Sequence, residues 1–272
     1  MAMHRVTKDT GSPPLLFDRR RKILGIVNHR KSVTVDSLLS ALPVSRMTIS
    51  RDLESLETAG LLKRVRGGAV ALSHIVVAPR ASRSVRSLTE EQMRIGREAS
   101  RRVENGDFII IESGSTCMAL VEHLRDKSNL KVATASPMIA MRLAEIEEQY
   151  HRGIEIIVSG GVLDVYKNFL LGPPTLQMFE NMNVDTAFVS VTAIDSRMGV
   201  TADDMGESSV SRVVLERCGR KTIGLIMSSK FNKVSFYKVT DITSFDEIIT
   251  DSGLDRETEA RFARAGVVMT LC

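Results

Sequence analysis

The chain has 272 residues, 43% apolar and 26% charged, with no Trp and only 4% aromatics; the length implies about two domains, and the composition excludes rows of base-stacking rings. No apolar run reaches the roughly 18 residues of a membrane span, no signal-peptide segment opens the chain, and Cys117, Cys218 and Cys272 lack metal-ligand spacing, so a cytoplasmic protein without membrane, metal or cofactor is expected. The net charge of +4 hides an asymmetry: residues 1–90 hold 16 Lys and Arg against 7 Asp and Glu, a net of +9, the remainder is net −5, and a basic front on an acidic body points to a polyanion partner for the front.

Residues 1–16 are polar, contain Gly11, Pro13 and Pro14, and read as a disordered leader. From Phe17 to about His29, Ile23, Leu24 and Val27 recur at helical spacing, with Arg19–Lys22 on the other side. Thr34 caps a second helix whose core face is Val35, Leu38, Leu39 and Leu42, and Pro43 ends it. Ser45 opens a third helix in which Ile49, Leu53 and Leu56 share one face, and Gly60 stops it. Leu61–Arg66 and Ala69–Leu72 around Gly67-Gly68 read as a β-hairpin. Residues 17–72 thus form a small unit of three helices and a hairpin. Residues 73–89, rich in Ser and Arg with Pro79, read as a linker.

The remainder, 90–272, alternates. Helical patterns at 90–104, 116–126, 137–147, 174–182, 207–219 and 255–265 are interleaved with strands at 107–112, 131–134, 154–159, about 186–191, 222–227, 246–250 and 267–271. Such alternation predicts an α/β domain with a mostly parallel, Rossmann-like sheet.

The second and third helices form a helix-turn-helix pattern. The third must pack on the second while leaving a cationic face for the major groove. Ile49, Leu53 and Leu56 pack; Thr48, Arg51 and Ser55 lie on roughly the opposite side, with Ser45 and Arg46 at the leading end. Arg pairs with guanine, and Ser and Thr bond bases or phosphate. Lys63, Arg64 and Arg66 around Gly67 and Gly68 offer phosphate contacts at a turn that approaches the backbone closely, and Arg19–Lys22 offer more.

Ser45-Arg46-Met47-Thr48-Ile49-Ser50-Arg51-Asp52-Leu53, followed by Leu56, Gly60, Leu61 and Arg66-Gly67-Gly68-Ala69, resembles the DeoR-type bacterial transcriptional regulators. The resemblance implies a winged helix-turn-helix with Arg46, Thr48 and Arg51 at the DNA and Arg66–Gly68 in the wing. Asp52 is expected to be structural, because phosphate repels an acid on the groove face.

In open α/β sheets ligands sit outside the carboxyl ends of the strands. Those ends here carry Ser113-Gly114-Ser115-Thr116, Thr134-Ala135-Ser136, Gly160-Gly161 and Ser228-Ser229-Lys230. Hydroxyls and free N–H groups at helix starts, with one lysine, make an anion cradle. The resemblance extends from about Ile95 to Asp251 and implies a phosphosugar-isomerase-like sensor domain. It implies a phosphorylated sugar or related effector contacted by Ser113, Gly114, Ser115, Thr116, Thr134, Gly160, Gly161, Glu207 and Lys230. This chain departs from the family pattern at Glu112, Ala135 and Met227.

Asp203, Asp204, Glu207 and Lys230 also suit an alternative, a phosphosugar isomerase-like enzyme. That reading leaves the basic front without a role, so no catalytic residue is expected. The reading of the whole chain is a sugar-gene repressor that binds double-stranded operator DNA as at least a dimer.

Overall fold

The computed structural model describes residues 13–58, 61–72 and 88–272. The first twelve residues, the Gly60 stop and the linker at 73–87 lie outside the described residues. The chain divides into two compact units, Met1–His74 and Ile75–Cys272. No helix among the described residues is long and apolar enough to cross a membrane.

The first unit runs α1 (Pro13–Arg30), β1 (Ser32–Thr34), α2 (Val35–Ala41), α3 (Arg46–Thr58), β2 (Leu62–Val65) and β3 (Gly68–Ala71). Its helices start where the caps lie: Thr34 Oγ1 accepts from Ser37 N at 3.1 Å, and Ser45 Oγ accepts from Thr48 N at 3.2 Å. Helix α1 begins at Pro13, four residues ahead of the expected Phe17; proline suits a first turn, whose N–H has no helical partner. Strand β1 was not expected. It pairs antiparallel with β3, giving the order β1-β3-β2. Ile23, Val27, Val33, Leu38, Ile49, Leu53, Leu56 and Leu62 close the core.

The second unit continues with α4 (Glu90–Ser100), β4 (Phe108–Ile111), α5 (Ser115–Val121), β5 (Lys131–Thr134), α6 (Pro137–Tyr150), β6 (Glu155–Val158), β7 (Val162–Asp164), β8 (Phe169–Leu171) and α7 (Pro173–Glu180). It finishes with β9 (Val184–Val189), β10 (Ala193–Asp195), β11 (Gly199–Ala202), α8 (Met205–Val213), β12 (Gly219–Leu225), β13 (Tyr237–Thr240), β14 (Glu247–Thr250), α9 (Arg256–Arg264) and β15 (Val268–Leu271). The expected helix at 207–219 is α8 followed by a π-helical turn, Val214–Cys218.

Seven strands form one parallel sheet in the order β15-β14-β12-β9-β4-β5-β6. Both faces are covered, which is why β4 reads as an unbroken apolar run. Ile109 and Ile111 pack with Ile95, Leu120 and Leu143, whereas Ile110 packs with Phe179, Val210 and Phe262. Two small antiparallel sheets, β7-β8 and β10-β11-β13, sit outside this parallel frame. Chain order runs outward from β4 through β5 to β6 on one side and from β9 through β12 and β14 to β15 on the other. The direction therefore switches between β4 and β9, and the crevice beyond their carboxyl ends is the place such sheets reserve for a ligand.

Candidate functional site

On α3, Ile49, Leu53 and Leu56 are buried and Arg46, Met47 and Arg51 are exposed. Arg51 and Arg66 take no ion-pair partner among the described residues, so both guanidiniums face solvent uncommitted. Arg46 pairs with Asp36, but both side chains are mostly exposed and such a pair is weak. Lys63 Nζ lies 3.0 Å from Glu57 Oε1, and the same oxygen accepts from Arg64 N at 3.0 Å. Glu57 thus ties the hairpin to the end of α3.

Several other residues expected at the DNA also have structural partners. The Ser45 hydroxyl is spent on Thr48, bonding both its N–H and, at 2.9 Å, its Oγ1. Gly67 forms the open tip of the turn at φ 83°. Gly68 is buried, and a Cβ there would meet Val33 O at 2.0 Å, so close passage of β1 rather than DNA requires this glycine. Arg19 and Arg20 do not stand free for phosphate. Their Nε atoms reach Asp52 at 2.5 and 3.1 Å, and Arg20 also donates to Ser55 Oγ at 2.9 Å. Asp52 is 1% exposed and joins α1 to α3. Asp52 holds the Arg19 guanidinium above its ordinary pKa against the opposing effect of burial.

In the second unit the switch crevice is built from the turn after β4 and the turn after β9. Ser190 Oγ donates to Ser113 O at 2.7 Å. Gly114 precedes α5 at φ 98° with no side-chain cap, leaving the amides of Ser115 and Thr116 without a capping acceptor. Thr116 is largely buried beneath this turn, and Ser115 accepts from Gln92 at 2.6 Å. Gly160 and Gly161 follow β6. Thr175 donates to Gly160 O at 2.6 Å, and Ser159, just after the strand, has a buried hydroxyl with no partner among the described residues.

Thr134 has structural partners. It is fully buried, donates to Glu112 O at 3.0 Å and accepts from Ser136 N at 3.0 Å, so its hydroxyl fastens two strand ends. At Gly161, which is exposed, a Cβ would meet Leu171 O at 2.4 Å, so β8 passes close to its backbone.

Across the crevice, Lys167 of the β7–β8 turn bonds both Asp203 and Glu207. Burial would lower the Lys167 pKa, but the two acids outweigh it and raise it. Glu207 also accepts from Thr192 Oγ1 at 3.2 Å. Burial, helped by Asp203, holds Glu207 above the usual carboxylate range despite Lys167. Asp204 accepts from Glu207 N at 2.9 Å and is the helix cap of α8. Lys230 stands near this acid pair without an ion-pair partner among the described residues. Burial and the neighbouring Lys233 lower its pKa, opposed by Asp203 and Glu207. An ammonium stripped of water and not directly paired is a seat for an incoming anion. Lys167, Ser190 and Thr192 had no signal in the sequence that singled them out.

Glu112 sits under the crevice, 2% exposed, and accepts from Ser211 Oγ at 2.5 Å. Burial pushes its carboxyl up from 4.5 to about 8, with Ser211 opposing and Glu207 adding to the rise. Between those values the folded chain keeps a proton that the unfolded chain releases, so this group's contribution to stability falls as pH rises from about 4.5 to about 8. Glu112→Gln should flatten that slope. Melting curves at pH 5 should nearly coincide, and at pH 9 the variant should be the more stable by a few kcal/mol. Parallel pH profiles for both proteins would show that Glu112 does not titrate this way.

Residues 19–74 match the DeoR-like helix-turn-helix domain, and residues 87–252 match the DeoR C terminal sensor domain. The HTH-type transcriptional regulator GolR of Listeria innocua is 30% identical over 92% of this chain and 96% of its own length. The HTH-type transcriptional repressor GlcR of Bacillus subtilis is 30% identical over 86% of this chain and 88% of its own. The glycerol-3-phosphate regulon repressor of Escherichia coli is 28% identical over 86% and 90%. Among solved structures, a D-ribose-5-phosphate isomerase in complex with phospho-erythronic acid has a TM-score of 0.37 and 16% identity over 53% of this chain and 55% of that one. The chain belongs to the DeoR family and is a helix-turn-helix, DNA-binding transcriptional regulator rather than an enzyme.

Proposed function

We propose that this regulator is a cytoplasmic repressor of sugar- or polyol-phosphate genes, bound as a homo-oligomer to paired operator half-sites and controlled by a phosphorylated sugar or related metabolite. The single observation that carries the sensing half is Lys230: a half-buried, unpaired ammonium beside a crevice whose other wall supplies hydroxyls and uncapped amides. The phosphate sits between Lys230 and the Ser113-Gly114-Ser115-Thr116 turn, with Gly160 at the rim. The hydroxyl-rich end meets Glu207, while Thr134 and Gly161 support the walls. The names of the relatives, a repressor of a glycerol-3-phosphate regulon among them, favour the same effector class.

At the DNA, Arg51 and Arg46 read the groove with Thr48, and Lys63, Arg64, Arg66 and Gly67 track the phosphates. Ser45 and Gly68 shape these elements. Each head reads one half-site, so at least two chains act together. Effector binding shifts the oligomer between arrangements and changes operator affinity by about 1–3 kcal/mol.

A thermal-shift panel of sugar phosphates on the full chain tests the sensing half, with inorganic phosphate as the control. At least one sugar phosphate should raise the melting temperature beyond phosphate alone; a flat panel counts against the assignment. Arg51→Ala should cost about 1–3 kcal/mol of operator binding and blunt sequence preference. A competition titration that leaves affinity and preference unchanged would remove Arg51 from the interface.

A further inference from the structure

The side chains that α3 turns to solvent differ from those that spacing alone put opposite the core. Thr48 is half-buried and bonded to Ser45, and Ser55 is half-buried and accepts from Arg20 Nη2 at 2.9 Å. The exposed stripe runs instead through Met47, Arg51, Glu54 and Thr58, with half-buried Ser50 beside it. Met47 is the second residue of the helix, and Arg51 lies one turn behind it on the same face. Met47 is 65% exposed and takes no part in the packed core of its unit. On an ordinary surface a single exposed apolar side chain calls for no explanation. This one stands at the leading end of the helix that a helix-turn-helix places in the major groove, and the leading residues of that helix meet the base edges.

We propose that Met47 reads the 5-methyl group of a thymine in the operator half-site, close to the base that Arg51 reads. This deepens the placement of α3 in the groove and rests on it. A thioether offers the groove no donor and only a weak acceptor, so it is unsuited to the nitrogen and oxygen edges of the bases. The thymine methyl is the apolar group that the major groove presents.

The position suits that contact. Methionine side chains in helices lean toward the helix N-terminus, which carries the tip of Met47 toward the end that meets the bases. Three rotatable bonds let the sulfur and its methyl settle on a thymine without moving the backbone. Contact then removes apolar area from water on both partners. Arg46, the preceding residue, pairs with Asp36 of α2, and Arg51 has no ion-pair partner among the described residues. The acid of the stripe, Glu54, follows seven residues after Met47, about 10 Å along the axis, and so stands clear of the leading end.

Replacing thymine by deoxyuridine deletes the methyl and keeps every hydrogen-bonding edge, so the DNA itself supplies the test. A duplex that the full chain selects from random sequence is remade with each half-site thymine changed in turn. At one position the wild type should bind about fourfold more weakly per half-site, the worth of one buried methyl. Met47→Gln, similar in length but polar, should bind the thymine duplex more weakly by about that factor and should no longer tell thymine from deoxyuridine there. Met47 is exposed, so the variant should melt with the wild type, and the discrimination is a ratio within one protein that a partly unfolded sample does not move. A wild type indifferent to deoxyuridine at every position, a selected half-site without thymine, or a discrimination that persists in Met47→Gln overturns the role of Met47 and leaves groove reading by Arg51 standing. A chain that selects no duplex at all overturns the groove placement as well.

Discussion

Asp52→Ala is expected to lower the first melting transition of the chain by about 10–20 °C and to abolish operator binding at the same temperature. The acid is 1% exposed, and its carboxylate takes the Nε atoms of Arg19 and Arg20 at 2.5 and 3.1 Å, which fixes α1 against α3. Removing one partner of a buried pair costs about 3–5 kcal/mol when the survivor stays buried. The two arginine side chains keep 21% and 33% of their exposure, so water recovers part of that cost and about 2–4 kcal/mol remains. A unit of this size has only about 5 kcal/mol or a little more to lose, and each kcal/mol moves its transition by about 4–8 °C. Asp52→Asn keeps the shape without the charge and should fall between the two. Circular dichroism melts check it; an alanine variant melting within a degree of wild type would show that the ion pairs do not hold the unit together.

Lys230→Ala should weaken binding of whichever sugar phosphate stabilises the wild type by about 1.5–3 kcal/mol, roughly ten- to a hundredfold. The loss is that of a charge-assisted bond in a partly desolvated site. The ligand-free variant should be as stable as the wild type or more so, because the lysine sits unpaired near Lys233 and its burial is unfavourable. Since burial lowers its pKa, affinity in the wild type should start to fade below the ordinary lysine value of about 10.4. Isothermal titration of both proteins decides it: superimposable curves would exclude Lys230 from the anion site, and a less stable variant would show a structural lysine instead.

The sequence carried local signals well and distant pairings poorly. Thr34, Ser45 and Ser136 each cap the helix they precede, because a cap needs only its next three residues. The seven parallel strands were legible as apolar runs, the five inner ones largely buried on two faces. Strands β1, β7, β8, β10, β11 and β13 were not, since each is three or four residues long and is a strand only through its partner. The structural role of Asp52 followed from the repulsion an acid would meet at DNA, but its partners lie 33 and 32 residues away, and Arg19 and Arg20 read as phosphate contacts instead. Lys167 was invisible for the same reason, sitting 36 and 40 residues from Asp203 and Glu207. Thr134, Gly68 and Gly161 also have packing roles that the sequence did not show, because each depends on a distant segment: Glu112, β1 and β8.

The claim that joins the two units is that occupancy of the crevice governs the reading head. Fluorescence anisotropy of the full chain on a genomic duplex it selects, with and without a sugar phosphate that raises its melting temperature, measures that coupling most directly. Operator affinity should change about 5- to 150-fold on saturation, and the change should vanish in Lys230→Ala while the ligand-free affinity stays at the wild-type value. An operator affinity that is identical with the crevice empty and saturated, or the absence of any preferred duplex even at low salt, would contradict it.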